Sequence, residues 1–171
     1  MTLSIQFLAR DEATLLEKKL RRQIAEHPRP KLVLCYKSGN RDYSQAANSI
    51  AASMGEFTEV MLLFLFCISG DGWNAGTEEN ARWREYHEWR SSKGENRRLY
   101  ETPGHQFSPA EAGDLSKVIE LALHLGWDPL VAARPGRQIL FLSHDDRMEI
   151  YRGFQRRALA ERLIRLGYWY L

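Results

Sequence analysis

Glu59-Val60-Met61-Leu62-Leu63-Phe64-Leu65-Phe66-Cys67-Ile68 is the most hydrophobic stretch of the chain, and its reading decides the fold. Apolar residues at successive positions predict a strand buried on both faces, so a central strand of a covered sheet. The apolar run is far short of the ~20 residues that cross a bilayer. Upstream, Lys31 to Tyr36 is also apolar on both faces, and Thr2 to Leu8 alternates with Leu3, Ile5 and Phe7 on one side. Between these strands, Asp11 is expected to cap a helix carrying Ala13, Leu16, Leu20 and Ile24 at helical spacing, stopped by Pro28 and Pro30. A second helix starts near Ser44, buries Ala47, Ile50, Ala51 and Met54, and has Gly55 beyond its end. Strand, helix, strand, helix, strand favours parallel neighbours with helices over the sheet.

Downstream, the character changes. Gly70-Asp71-Gly72-Trp73-Asn74-Ala75-Gly76 is a glycine-rich loop, after which Thr77 is expected to cap a helix reaching about Ser92. Arg97 to Glu101 reads as a short edge strand broken by Pro103-Gly104. Ser108-Pro109-Ala110-Glu111 is a helix start: serine at the N-cap, proline at the first position, glutamate at the third. Leu115, Val118, Ile119, Ala122 and Leu125 form the stripe of that helix, and Gly126 ends it. Leu130 to Ala133, Gln138 to Ser143 and Arg147 to Arg152 predict a three-strand antiparallel meander, and a final helix buries Ala158, Leu159, Leu163 and Leu166. The expectation is one α/β domain over 1–171, with α+β character in its C-terminal half. An alternating half over 1–68 joins a helix-rich half with the meander over 69–171, giving a mixed sheet flanked by helices.

Composition bounds the rest. The 171 residues are 44% hydrophobic and 27% charged, ordinary for a globular chain, which removes disorder, collagen and coiled coil. Two cysteines build no disulfide framework, and no secretory leader opens the chain, so a cytoplasmic location is expected. The net charge is only +2, but the last quarter is rich in arginine: Arg147, Arg152, Arg156, Arg157, Arg162 and Arg165 face Glu149 and Glu161. Arginine suits planar anions, so the basic C-terminal helix is a candidate nucleic-acid surface.

Three constellations can carry function. Cys35-x5-Arg41, between a buried strand and a helix, resembles the phosphate loop of cysteine-dependent phosphatases, rhodanese-like phosphatases and arsenate reductases. That resemblance implies a Cys35 thiolate, an Arg41 clamp and Asp71 as general acid. Two positions depart from the pattern: Leu34 replaces the usual histidine, and Asp42 follows the arginine. A carboxylate about 6 Å from a bound phosphate costs roughly 3 kcal/mol per unit charge at an effective dielectric of ~20. The other reading is an inert, buried Cys35 and a capping Asp42. Secondly, His144, Asp145, Asp146 and Glu149, with His105, are a candidate metal set; Asp also belongs in a tight hairpin on conformational grounds. Thirdly, Trp73, Trp83, Glu85, Tyr86 and Arg90 have the composition of a protein-binding hot spot.

A wider pattern joins Tyr86-His87-Glu88-Trp89-Arg90, Pro103-Gly104-His105-Gln106-Phe107, Gly126-Trp127-Asp128 and Ser143-His144-Asp145-Asp146. It resembles a family of small uncharacterised bacterial proteins in which glutamate stands at the position of Asp146. The resemblance implies a bacterial source and no reaction. With no complete catalytic set and no cofactor motif, the expected function is a non-catalytic protein-binding module, an immunity-type inhibitor or regulatory partner. Its partner is expected to be another protein, with no membrane attachment. The alternatives are a phosphatase or arsenate-reductase-like enzyme and a nucleic-acid binder.

Overall fold

Alternate residues of the strand Glu59–Phe64 enter two separate cores: Val60, Leu62 and Phe64 join one cluster, Met61 and Leu63 the other. A strand with side chains buried in both directions is what its unbroken apolar run requires. The computed structural model describes residues 5–26, 32–36, 42–55, 57–68, 80–134, 138–145, 147–152 and 156–171. Within them lies one eight-stranded sheet, in the order β1 (Gln6–Leu8), β4 (Gly104–Phe107), β3 (Glu59–Phe64), β5 (Pro129–Arg134), β6 (Gln138–Leu142), β7 (Arg147–Arg152), β2 (Leu32–Tyr36) and β8 (Tyr168–Tyr170). Helices flank it: α1 (Arg10–Ala25), α2 (Tyr43–Ser53), α3 (Leu65–Ile68), α4 (Ala81–Ser92), α5 (Ala112–Leu125) and α6 (Arg156–Arg165). The chain is thus an α/β protein built on a single helix-flanked sheet.

Every pairing is antiparallel, against the expectation of parallel neighbours. Successive antiparallel pairings give β1, β2 and β3 the same direction, as helical crossovers dictate. Strands from the C-terminal half then separate them: β4 lies between β1 and β3, and β5, β6 and β7 lie between β3 and β2. The meander β5–β6–β7 has the predicted antiparallel course, with a register shift at Ile139/Leu140.

Several boundaries differ from the sequence reading. β3 stops at Phe64, and Leu65–Ile68 turns into the short α3 after one last in-register bond, from the Leu65 N–H to the Asp128 carbonyl at 3.2 Å. Arg97 to Glu101 forms turns; the strand is instead β4, opened by the Pro103-Gly104 pair read as a breaker. Asn80 caps α4, accepting from the Arg82 and Trp83 N–H groups, while Thr77 lies outside the described residues. α1 begins at Arg10, and Glu12 rather than Asp11 caps it by accepting the Ala9 N–H at 2.9 Å. Gly126 ends α5 in the left-handed conformation, φ 63°, as expected. Ala158 is exposed, whereas Leu159, Ala160 and Leu163 are buried.

The two sheet faces are covered unequally. Residues of α2, α4, α5 and α6 build the larger core with Leu34, Phe107, Val131, Leu140 and Ile150. The smaller core lies under α1, where Ala13 and Leu20 meet Leu8, Met61, Leu63, Leu130 and Ile139. At the α1 face, Gly104 lets Leu8 and Leu63 close over β4: a Cβ there would lie 3.0 Å from Leu8 Cβ and 3.0 Å from Leu63 Cδ2. Gly104→Ala is therefore expected to destabilise by about 1–3 kcal/mol through overpacking. At Gly113, in α5, an added Cβ meets nothing within 4 Å, so Gly113→Ala should raise stability by about 0.5–1 kcal/mol. Thermal unfolding of the two variants checks the opposite signs.

Candidate functional site

Of the five residues expected to form a protein-binding surface, two are interior. Tyr86 and Arg90 are fully buried on the inner side of α4, and their neighbour Trp89 is buried with them. The Tyr86 hydroxyl and His105 Nε2 are 2.7 Å apart, and the His105 ring stacks on those of Tyr86 and Trp89. Trp89 Nε1 donates to Asp114 at 2.7 Å. Arg90 donates through Nη2 to the Thr102 hydroxyl and lies 5.5 Å from the Phe7 ring and 5.6 Å from that of Tyr86. Its Nε and Nη1 have no hydrogen-bond partner among the described residues. The aromatic faces and Thr102 offset part of the cost of burying this cation. Trp83 is half-buried with its ring 4.0 Å from that of His87, and Glu85 is held at the surface by Arg82 (2.9 Å) and Lys117 (3.4 Å). Trp73 and the rest of the glycine-rich loop lie outside the described residues.

The cysteine loop is only partly in view. Asp42 caps α2 by accepting the Gln45 N–H at 2.8 Å; Arg41 and Asp71 lie outside the described residues. Cys35 is half-buried rather than buried, in register with Arg147 and Trp169. The thiol with core character is Cys67, which burial pushes up to about 12.

The described members of the candidate metal set do not come together. His105 is enclosed by α4, and Glu149 sits in register with Phe141 on the α1 face, paired to Arg147 at 2.8 Å and accepting from the Tyr151 hydroxyl. His144 is bonded instead to Asp128: both carboxylate oxygens lie 3.0 Å from Nδ1, and the His144 N–H donates to the same carboxylate at 2.7 Å. Asp145 stands 3.4 Å from Nε2, and Asp146 lies outside the described residues. The Asp128 hydrogen bond and charge raise the His144 imidazole above its ordinary value. Among the described residues no three His, Cys, Asp or Glu side chains converge to hold a metal. His144 opens onto a cleft of about 150 Å³ between the β6–β7 turn and the end of α5, lined also by Tyr43, His124 and Tyr168. That is below the ~300 Å³ of ordinary ligand pockets.

The surface that sequence reasoning missed is at the other end of the sheet. β8 is a three-residue edge strand, Tyr168-Trp169-Tyr170, a segment to which the sequence reading assigned no element. Trp169 is 49% and Tyr170 56% exposed. The register places Trp169, Cys35 and Arg147 in one row across β8, β2 and β7, and Val33, Glu149 and Phe141 in the next. These side chains share the α1 face, yet Val33, Cys35, Glu149 and Phe141 stay only half-buried. Leu171 N–H donates to the Val33 carbonyl at 3.2 Å. By antiparallel alternation, Trp169 also directs its backbone groups to β2, and Tyr170 directs its own away from the sheet. The sequence signal was the aromatic triplet after Gly167; three residues are too few for a periodicity to register.

Compared with protein-family models, with curated proteins and with solved structures, the chain matches none.

Buried His105 and half-buried His87 give a pH signature. Burial, then the Arg90 charge, lowers His105 to about 3 and His87 to about 4. Both values are depressed relative to the unfolded chain near 6.5. The unfolded state therefore binds more protons below that pH, and stability is lost as pH falls from about 6.5 towards 3–4. The expected slope approaches about 1.4 kcal/mol per pH unit for His105 and is smaller for the half-buried His87, whose charge solvent screens. Denaturant midpoints between pH 7.5 and 4.5 measure it, and His87→Gln should reduce the slope.

Proposed function

We propose that this chain is a non-catalytic protein-binding module, acting as an immunity-type inhibitor or regulatory partner in the bacterial cytoplasm, and that it docks its partner on β8 and the open half of the sheet. The observation that carries the reading is the exposed aromatic edge strand: Trp169 and Tyr170 stand at the boundary of a half-covered sheet face. Tryptophan and tyrosine bury large rigid surfaces at small entropic cost and dominate binding energies when central to an interface. The Arg147–Glu149 pair beside them supplies charges of both signs, which set register and partner choice. The partner fitting this edge offers an extended segment that adds to the sheet beside β8, with main-chain bonds to Tyr170 and a pocket for Trp169. Edge strands left open in this way are templates for pairing. Trp83 and Glu85, at the surface of α4, fall outside this patch.

Two substitutions separate the components. Trp169→Ala removes the aromatic anchor, at an expected cost of about 2 kcal/mol or roughly thirtyfold in affinity. Tyr170→Pro removes an N–H that points away from β2, so it blocks edge pairing and spares the β2–β8 ladder. Affinity capture from the source cell is expected to retain one stoichiometric protein, reduced at least tenfold by either variant at unchanged unfolding midpoint. Equal retention by wild type and both variants overturns the reading.

A further inference from the structure

α6 packs against α2, and the groove between them is lined by Gln45, Asn48, Ser49, Arg162, Arg165 and Leu166. It is a shallow surface groove of about 310 Å³. Among the described residues no carboxylate lines it. Arg162 and Arg165 are three residues apart on one helix and therefore neighbours on its surface. Arg162 forms no ion pair among the described residues, and Arg165 uses only Nε, donating to the Glu161 carbonyl at 3.2 Å. Glu161, the one acidic residue in α6, is turned to Arg157 at 3.1 Å.

The α2 wall adds neutral donors. Ser116 donates its hydroxyl to Asn48 Oδ1 at 2.6 Å, which fixes the amide and leaves its NH₂ to donate. Ser49 contributes a hydroxyl. Asp42, in the preceding turn, is engaged by the Gln45 N–H at 2.8 Å and the Gln45 amide at 2.5 Å. The groove thus has two guanidinium groups, an amide and a hydroxyl, with a leucine among its walls. We propose that it is a phosphate-binding site, in which Arg162 and Arg165 hold the oxyanion and Asn48 and Ser49 donate from the opposite wall. Arginine is suited to this by its planar, permanently charged fork. The ligand chemistry is a phosphate group, carried either by a small phosphorylated molecule or by a nucleic-acid backbone. The inference is independent of the docking surface at β8.

The test is a titration of the ¹⁵N-labelled protein, followed by amide shifts, with sodium pyrophosphate in one arm and a single-stranded oligonucleotide in the other. The expected result is a saturable shift at Asn48, Ser49 and residues 162–166, weakened at least tenfold in Arg162→Gln/Arg165→Gln. Both arginines are solvent-facing, so the variant should keep the wild-type spectrum elsewhere. Saturation by pyrophosphate alone assigns a small phosphorylated ligand. Saturation by the oligonucleotide, with a log–log salt slope of about −1.4 for two phosphates, assigns a nucleic-acid backbone. No saturable shift at these residues in either arm, or shifts that the double variant leaves unchanged, overturns the proposal.

Discussion

Among the described residues, α1 and the short α3 cannot cover one face of an eight-stranded sheet, and the character of this molecule depends on that mismatch. α1 has 16 residues, about 24 Å of helix, whereas eight strands span about 34 Å from edge to edge. The opposite face is roofed by α2, α4, α5 and α6. Among the described residues, cover on the α1 side is good over β1, β4, β3 and β5 and thins towards β7, β2 and β8. An antiparallel sheet tolerates a face turned to water, provided that alternate residues become polar there. β7 obeys this: Met148 and Ile150 enter the larger core, and Arg147 and Glu149 turn outwards as an ion pair. β2 and β8 do not, since they place Val33, Cys35 and Trp169 on the same half-covered face. Apolar residues where alternation calls for polar ones are the reason to place a partner there.

The α4–β4 layer has a different logic. Tyr86, Trp89, His105, Phe107 and Trp127 form a continuous aromatic and imidazole core around Phe64. The pattern that resembles a bacterial family falls largely on this layer, with Asp128 and His144 as its outward end. Its residues are accounted for as packing: a hydroxyl satisfied by an imidazole, an indole satisfied by Asp114, and a glycine that admits two leucines. Glu95 sits in this interior too. Burial pushes its carboxyl up, but the Arg97 hydrogen bonds, with the Arg97 and Arg90 charges, outweigh that and hold it low.

The sequence was most legible where periodicity spans five or more residues on a covered face. The cores of β2, β3 and β6, the β5–β7 meander, the stripe of α5 and its glycine stop all follow from such patterns. Strand direction was half legible: the crossovers do orient β1, β2 and β3 alike, but no local signal reveals that C-terminal strands insert between them. α4 misled because its charges alternate around the whole helix, so Arg90 reads as solvated although ring faces and Thr102 hold it inside. β8 was missed because a three-residue strand has no period. The α2–α6 groove needed the fold, since Asn48 and Arg162 are far apart in sequence.

That the described helices leave the β7–β2–β8 half of one sheet face uncovered is tested most directly by the two thiols. Cys35 lies on that face and Cys67 in the larger core. Native protein is treated with iodoacetamide at neutral pH and modification at each site is followed by mass spectrometry. The account predicts that Cys35 is alkylated in the native state and Cys67 only on unfolding. Protection of Cys35 equal to that of Cys67 would contradict it.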